Sequence, residues 1–482
     1  MSIQEKRVFT LIPIIFFFFL ACPEFLQKSM YNDGIWYAIL SKNLSEGIGT
    51  FWNPKLTATI FPVFHEHPPL VFGIQSLFFK LLGPGIITER VYALTVFFLS
   101  AWLIVRIWIN IFKTDPNAKK LYFIPLSLWL LNEVTFHYYP ANMLEPTLSV
   151  FTLSAILCLY KASCSSEKNK NALLILLAGA FILAGLLCKG FPALFPLAFF
   201  GLHYLIYRKD SLGNSVLKTV FLTLPVIAGI FVLAAIPVSA QSLKDYFDTQ
   251  VYASVTGIRT EYHHRDSRFY ILGRLFEILS PAIIITCIPF FVKFRRSIQT
   301  IDTAAKKDSA FFILLGCAAS FPLVISEKQA YYYLLPALPY FALGLGILFV
   351  RPIIYFLESW PSKNRSFKFF TYILMGLTAA SVIFSLSKVG TVTKRDKEVF
   401  HDVEIIGKTI PSGQVIDSKS YTAHLVGYLY RLHKISIDTV GTPHRQYLIM
   451  EKNNMHQFPG FRKILLPTLK YDLYRQEAPL SR

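Results

Sequence analysis

The sequence predicts a polytopic α-helical membrane protein, with about eleven transmembrane helices and interfacial helices in its first outer loop, followed by a small C-terminal α/β soluble domain. Three observations predict it. Apolar runs near membrane-spanning length recur along most of the 482 residues, of which 54% are hydrophobic and only 16% charged. The short loops on one side of those runs are all basic. From Lys388 onward the hydropathy collapses, although the whole chain has a mean hydropathy of +0.46.

The runs fall near residues 8–26, 86–112, 121–139, 142–161, 172–188, 190–207, 217–239, 269–292, 310–325, 331–350 and 367–387. The first follows Lys6-Arg7, shows no small-x-small cleavage site and carries Pro23-Glu24 where cleavage would fall, so it reads as a retained anchor. With the N-terminus cytoplasmic, the inside loops hold Lys113, Lys119 and Lys120, then Lys161, Lys168 and Lys170, then Arg208, Lys209 and Lys218. The last two hold Lys293, Arg295, Arg296, Lys306 and Lys307, and Arg351, Lys363, Arg365 and Lys368. This is the positive-inside pattern, and it assigns much of the formal charge of +19 to membrane topology rather than to nucleic acid. The outer loops are then 27–85, 240–268 and 326–330. No pair among the six cysteines reads as a disulfide framework or a zinc site.

The first outer loop holds the most unusual residues. Asn32 to Glu46 has helical apolar spacing with Gly47 as its stop, and Lys42 and Glu46 on the other side suit a helix lying in the membrane interface. Asp33, Trp36 and Tyr37 stand at i, i+3 and i+4, so a carboxylate shares a face with two aromatic rings. Asp33 is a functional candidate, and a helix N-cap is its structural alternative. Further on come His65-Glu66-His67-Pro68-Pro69 and then an apolar helix, Leu70 to Leu82, too short to span comfortably. Its proline-rich start aims a positive helix end back toward His65–His67, which suits a phosphate. His65 and His67 also form a His-x-His pattern able to take a divalent metal, with His263 or His264 as the candidate third ligand.

Ionisable residues mark three further places. Glu89-Arg90 opens the second span. Ala141-Asn142-Met143-Leu144-Glu145-Pro146 opens the fourth and puts Glu145 near the outer surface, where a carboxylate needs a polar cavity or an ion pair, with Arg90 the expected partner. Lys189-Gly190 interrupts an apolar stretch at an outer turn, where a snorkelling lysine accounts for it. The loop at 240–268 ends in His263, His264, Arg265 and Arg268, and the loop at 326–330 sets Lys328 beside Tyr331-Tyr332-Tyr333. In the tail, the pattern predicts helices over Asp396–Ile410 and Thr422–Leu432 and strands over Val415–Asp417, Ile435–Thr439 and Tyr447–Glu451. It shows no Gly-rich phosphate loop.

Taken in order, these pieces resemble the polyprenyl-phosphate-sugar-dependent glycosyltransferases of the GT-C fold, in the bacterial branch similar to aminoarabinose transferases and protein O-mannosyltransferases. The family's Asp-x-x-Arg-Tyr motif is matched by Asp33-Gly34-Ile35-Trp36-Tyr37, and its Glu-Lys-Pro-Pro-Leu motif by Glu66-His67-Pro68-Pro69-Leu70. Its Met-Leu-Asp motif is matched by Met143-Leu144-Glu145, Thr-Lys-Gly by Cys188-Lys189-Gly190, and Tyr-x-Leu-Pro-x-x-Pro by Tyr333 to Pro339. Trp36 replaces an arginine, His67 a lysine and Glu145 an aspartate. The resemblance covers residues 1 to about 390 as an ordered set, each motif being weak alone.

The resemblance implies an inner-membrane enzyme that moves a sugar, with inversion, from a polyprenyl monophosphate to a lipid, glycan or protein acceptor on the outer face. Asp33 and Glu145 are its expected catalytic residues, and His67, Arg265 and Lys328 its donor-phosphate ligands. Trp36, Tyr37, Glu66, Arg90 and Tyr333 are expected to position substrate. The expected organisation is a catalytic membrane domain over 1–387 and an exported domain over 388–482. A transporter or flippase is the rival reading, but its charges belong at the midplane between inverted repeats, whereas here they gather at one face. A receptor displaying the tail would have no need of a polar first loop.

Overall fold

In a computed structural model, residues 3–256, 267–291, 303–360, 362, 364–419, 421–439, 443–452 and 459–477 are described. The chain forms two compact units. The first comprises residues 1–25, 66–70 and 93–387, and the second 26–65, 71–92 and 388–482.

Nine helices among the described residues are long and apolar enough to cross a membrane, from Glu5–Leu26 through Ile86–Ile111 to Arg365–Leu386. The other two expected spans are broken. The run at 121–139 becomes Phe123–Leu130 and Glu133–Tyr138, because Asn132 takes an extended backbone and its side-chain amide donates back to the Leu128 carbonyl at 2.7 Å. A polar side chain thereby satisfies a carbonyl that the helix has let go. The run at 190–207 opens as a 3₁₀ turn, Phe191–Ala198, before continuing as Phe199–Tyr207. Pro192 and Pro196 supply no N–H there, and the looser helix follows. Phe321–Ile325 and Tyr331–Ala337 are 3₁₀ segments of the same kind, containing Pro322 and Pro336.

Within the first unit, Leu144–Ser163 and Lys168–Lys189 run as an antiparallel pair joined by a four-residue connection, with the second helix packed on Leu212–Ala235. Gly179 is a point of close approach in that second contact, since a Cβ there would meet the Leu222 carbonyl oxygen at 2.5 Å. Small residues let membrane helices come this close.

In the second unit the tail folds as expected from its pattern, with helices Lys397–Thr409 and Ala423–His433. Five strands, β1 (Val415–Ser418), β2 (Ser436–Thr439), β3 (Tyr447–Glu451), β4 (Phe461–Ile464) and β5 (Tyr471–Gln476), make one sheet in the order β2-β1-β3-β5-β4. β1 is parallel to both neighbours, and the C-terminal hairpin adds antiparallel strands. The Asp402 carboxylate accepts the backbone N–H groups of Leu469, Lys470 and Tyr471 at 2.6–2.7 Å, tying β5 to the first tail helix.

The first-loop helix runs Asn32–Ser45, and the helix after Pro69 runs Leu70–Leu82. One expectation for the first of them is corrected: Lys42 does not lie on a polar outer face. It is 8% exposed and donates to the Arg431 carbonyl at 3.3 Å, because Ala423–His433 packs along this helix. The N-cap reading of Asp33 also fails, since Tyr31 occupies the cap and Asp33 lies inside the first turn.

Candidate active site

The antiparallel pair of the first unit brings together two charges distant in sequence. Glu145 sits in the first turn of Leu144–Ser163 and Lys189 at the last residue of Lys168–Lys189. Each is at the helix end whose dipole favours its sign. Their side chains meet at 2.5 Å with 1% and 8% exposure. The partner expected for Glu145, Arg90, instead donates to the Gln27 and Ser29 carbonyls at 2.9 and 2.5 Å in the second unit. Snorkelling is therefore the wrong account of Lys189, which is turned inward.

Lys189 is held on several sides. Its ammonium lies 4.9 Å from the Tyr333 ring centroid and 5.7 Å from that of Tyr332, a cation–π arrangement that helps offset burial of the charge. The Tyr246 hydroxyl donates to the Lys189 carbonyl at 3.2 Å. Gly190 follows with φ +78°, and a Cβ on it would stand 2.0 Å from that hydroxyl. Only glycine combines this backbone with this contact.

The pair opens on a cavity of about 700 Å³. Its polar lining includes His67, Glu145, Lys189, Tyr246, Gln250, Lys328 and Tyr333, and its apolar wall includes Phe191, Phe195, Val251, Leu323 and Ile325. All three proline-bearing 3₁₀ segments contribute to that wall, and Gln250 and Val251 come from a π-helical turn, Phe247–Tyr252. Irregular helix at membrane depth is expected where it lines a cavity. Cationic lining groups beside an apolar wall can take an anionic head group joined to a hydrocarbon chain.

Of the residues singled out in sequence, His67, Glu145, Lys328 and Tyr333 share this cavity. Lys189, Tyr246 and Gln250 join them without having been named as site residues. The lysine in Cys188-Lys189-Gly190 was the available signal for the first of these. Arg265, His263 and His264 lie outside the described residues. Glu66 is half-buried in the same unit. Asp33, Trp36, Tyr37 and Arg90 belong to the second unit. Trp36 donates to the Ala423 carbonyl at 3.4 Å and meets Phe61 edge-on, while Tyr37 is buried against Phe72.

His65 is held through Nε2 by the Trp52 carbonyl and the Asn53 side chain, both at 3.0 Å. Among the described residues, Asp417, Asp438 and His444 have metal-like spacing. Arg445 already brings positive charge there, 2.8 Å from Asp438 and 3.6 Å from Asp417.

No protein-family model matches the chain, and no curated protein matches it in sequence. Solved structures do match. ArnT from Cupriavidus metallidurans bound to undecaprenyl phosphate aligns over 100% of both chains with a TM-score of 0.67 and 12% identity. The archaeal oligosaccharyltransferase AglB from Archaeoglobus fulgidus, in complex with an inhibitory peptide and a dolichol-phosphate, aligns over 93% of this chain and 69% of its own, with a TM-score of 0.56 and 9% identity. The chain is thus a multi-pass membrane protein, and its fold is the GT-C fold. Within that class its architecture is similar to the aminoarabinose transferase over the full length of both chains, the likeness that the ordered motifs imply.

Proposed function

We propose that this chain is an inverting glycosyltransferase of the inner (plasma) membrane. It takes a sugar from a polyprenyl monophosphate and transfers it to a lipid, glycan or protein acceptor on the outer face. The observation that carries this reading is the buried Glu145–Lys189 pair opening, with His67 and Lys328, on one largely apolar cavity. The fold adds support, being shared with a protein bound to undecaprenyl phosphate.

In this reading the acceptor oxygen attacks the anomeric carbon as the bond from that carbon to the phosphate oxygen breaks. The lipid phosphate leaves with the bonding electrons, and the acceptor proton passes to Asp33. His67, Lys328 and Arg265 hold the phosphate, whose developing charge is what preorganised cations stabilise. Glu145 orients sugar or acceptor against Lys189. Tyr333, Trp36, Tyr37 and Glu66 position substrate, and Arg90 does so through the 27–29 backbone. Residues 1–387 form the catalytic domain, and 388–482 an exported one.

The test is mass spectrometry of surface glycolipids, glycans and glycoproteins from cells with and without the chain. The full-length protein in vesicles carrying the polyprenyl-phosphate sugar then completes it. A product that disappears with the chain and is remade in the vesicles is expected. Movement of the intact lipid-linked sugar across the vesicle without any transfer would establish the flippase instead.

A further inference from the structure

One wall of the cavity carries a polar stripe that the charged groups do not account for. Tyr246, Gln250 and Ser254, at i, i+4 and i+8, all line it. Tyr246 ends the helix Pro237–Tyr246, Gln250 lies in the π-turn Phe247–Tyr252, and Ser254 follows in Ala253–Thr256. A regular α-helix would rotate such a series progressively away, and the wider π-turn takes up that drift and keeps all three on the cavity wall. The Glu327 N–H donates to the Ser254 carbonyl at 3.0 Å, which ties the stripe to the loop that brings Lys328 to the same cavity.

Among the described residues lining the cavity, Glu145 is the one carboxylate, and Lys189 meets it at 2.5 Å. A sugar bearing a primary ammonium would find that carboxylate taken and two lysines, Lys189 and Lys328, on the same wall. Juxtaposed like charges reject a ligand as effectively as good contacts retain another. A sugar bearing hydroxyls meets instead a phenol, a carboxamide and a hydroxyl, each able to donate and to accept. We propose that the donor sugar is an uncharged, hydroxyl-rich sugar rather than a cationic amino sugar, and that Gln250 is the specificity-determining residue that reads it. The inference rests on the transferase reading given above and narrows its substrate class. Within the stripe, the Tyr246 hydroxyl already gives its proton to the Lys189 carbonyl at 3.2 Å, and Ser254 is only half-buried. Gln250 is 9% exposed, and its side chain can both accept from a sugar hydroxyl and donate to one. A site built to hydrogen-bond a hydroxyl discriminates strongly against a group it cannot match.

The test needs no acceptor. Full-length protein in detergent at pH 7 is loaded with radiolabelled polyprenyl phosphate, which is then displaced by three competitors. These are the bare lipid phosphate, the same lipid phosphate carrying a sugar, and that sugar with one hydroxyl replaced by a primary amine, in matched pentose and hexose series. In at least one series the hydroxyl donor is expected to displace the label at a concentration roughly tenfold lower than the amine donor. Gln250→Ala should weaken the hydroxyl donor by about three- to tenfold relative to the bare lipid phosphate measured on the same variant, a ratio that general loss of folding would not move. Gln250→Glu, which supplies a carboxylate, should erase the preference against the amine. An amine donor that binds the parent protein as tightly as its hydroxyl counterpart in both series overturns the sugar class. An unchanged ratio in Gln250→Ala overturns the role of Gln250. Either failure, with the lipid phosphate still bound, leaves the transferase reading standing, whereas a protein that does not bind the lipid phosphate overturns both.

Discussion

The Glu145 carboxylate and the Lys189 ammonium meet at 2.5 Å, almost wholly shielded from solvent, at the adjoining ends of two antiparallel membrane helices. A buried pair adds little net stability when both partners are present, but removing one strands a charge. Glu145→Gln should lower stability by about 3–5 kcal/mol, read as thermal unfolding in detergent. Adding Lys189→Met should return most of that loss while transfer stays abolished. A double variant as unstable as the single one would show that the two charges do not compensate each other.

Gly190 offers a second test of the same corner. Its φ of +78° and the Tyr246 hydroxyl 2.0 Å from its would-be Cβ leave no room for alanine. Gly190→Ala should cost about 1–3 kcal/mol through backbone strain alone, with the collision adding to it. Combining it with Tyr246→Ala should relieve the collision and leave the strain. Melting curves of the three variants decide this, and a Gly190→Ala protein that melts like the parent would contradict the geometry.

Lys42 carries a pH signature. Burial first, and the nearby Arg431 second, bring its pKa from the ordinary lysine value down to about 8. In the unfolded chain it returns to about 10.4. Between those values the unfolded state binds the extra proton, so this residue makes stability rise with pH from about 8 upward, and its penalty is fully present below that. Denaturation at pH 7 and pH 9.5 should show a smaller rise for Lys42→Met than for the parent. Identical slopes would mean that Lys42 is not buried as a cation.

The proposed base is tested by Asp33→Asn, which keeps the shape and removes the proton acceptor. For a hydroxyl acceptor, turnover should fall by about 10²–10⁴-fold with donor affinity nearly unchanged. Near-normal turnover from a folded variant would move the assignment to Glu145. If the acceptor is a phosphate, the loss should be small, because little proton abstraction is needed.

What the sequence by itself determined is what depends on near neighbours along the chain. Apolar length placed nine of the eleven expected spans, and helical spacing with a proline start and a glycine stop placed Leu70–Leu82 and Asn32–Ser45. The period-two and helical patterns after Lys388 placed the first three strands of the sheet and both helices of the tail. The ordered motifs were enough to imply the GT-C fold. Tertiary structure alone decided which charges meet. Lys189 at an outer turn and Lys42 on a polar face have the local signature of solvated lysines. Each is buried because a second helix arrives from elsewhere, 44 residues before Lys189 in the case of Glu145 and 389 after Lys42 in the case of Arg431. The same holds for the 3₁₀ turns around the cavity, whose prolines read in sequence only as local interruptions. An ion pair in a cavity is a property of helix packing, and packing joins residues whose separation along the chain carries no periodic signal.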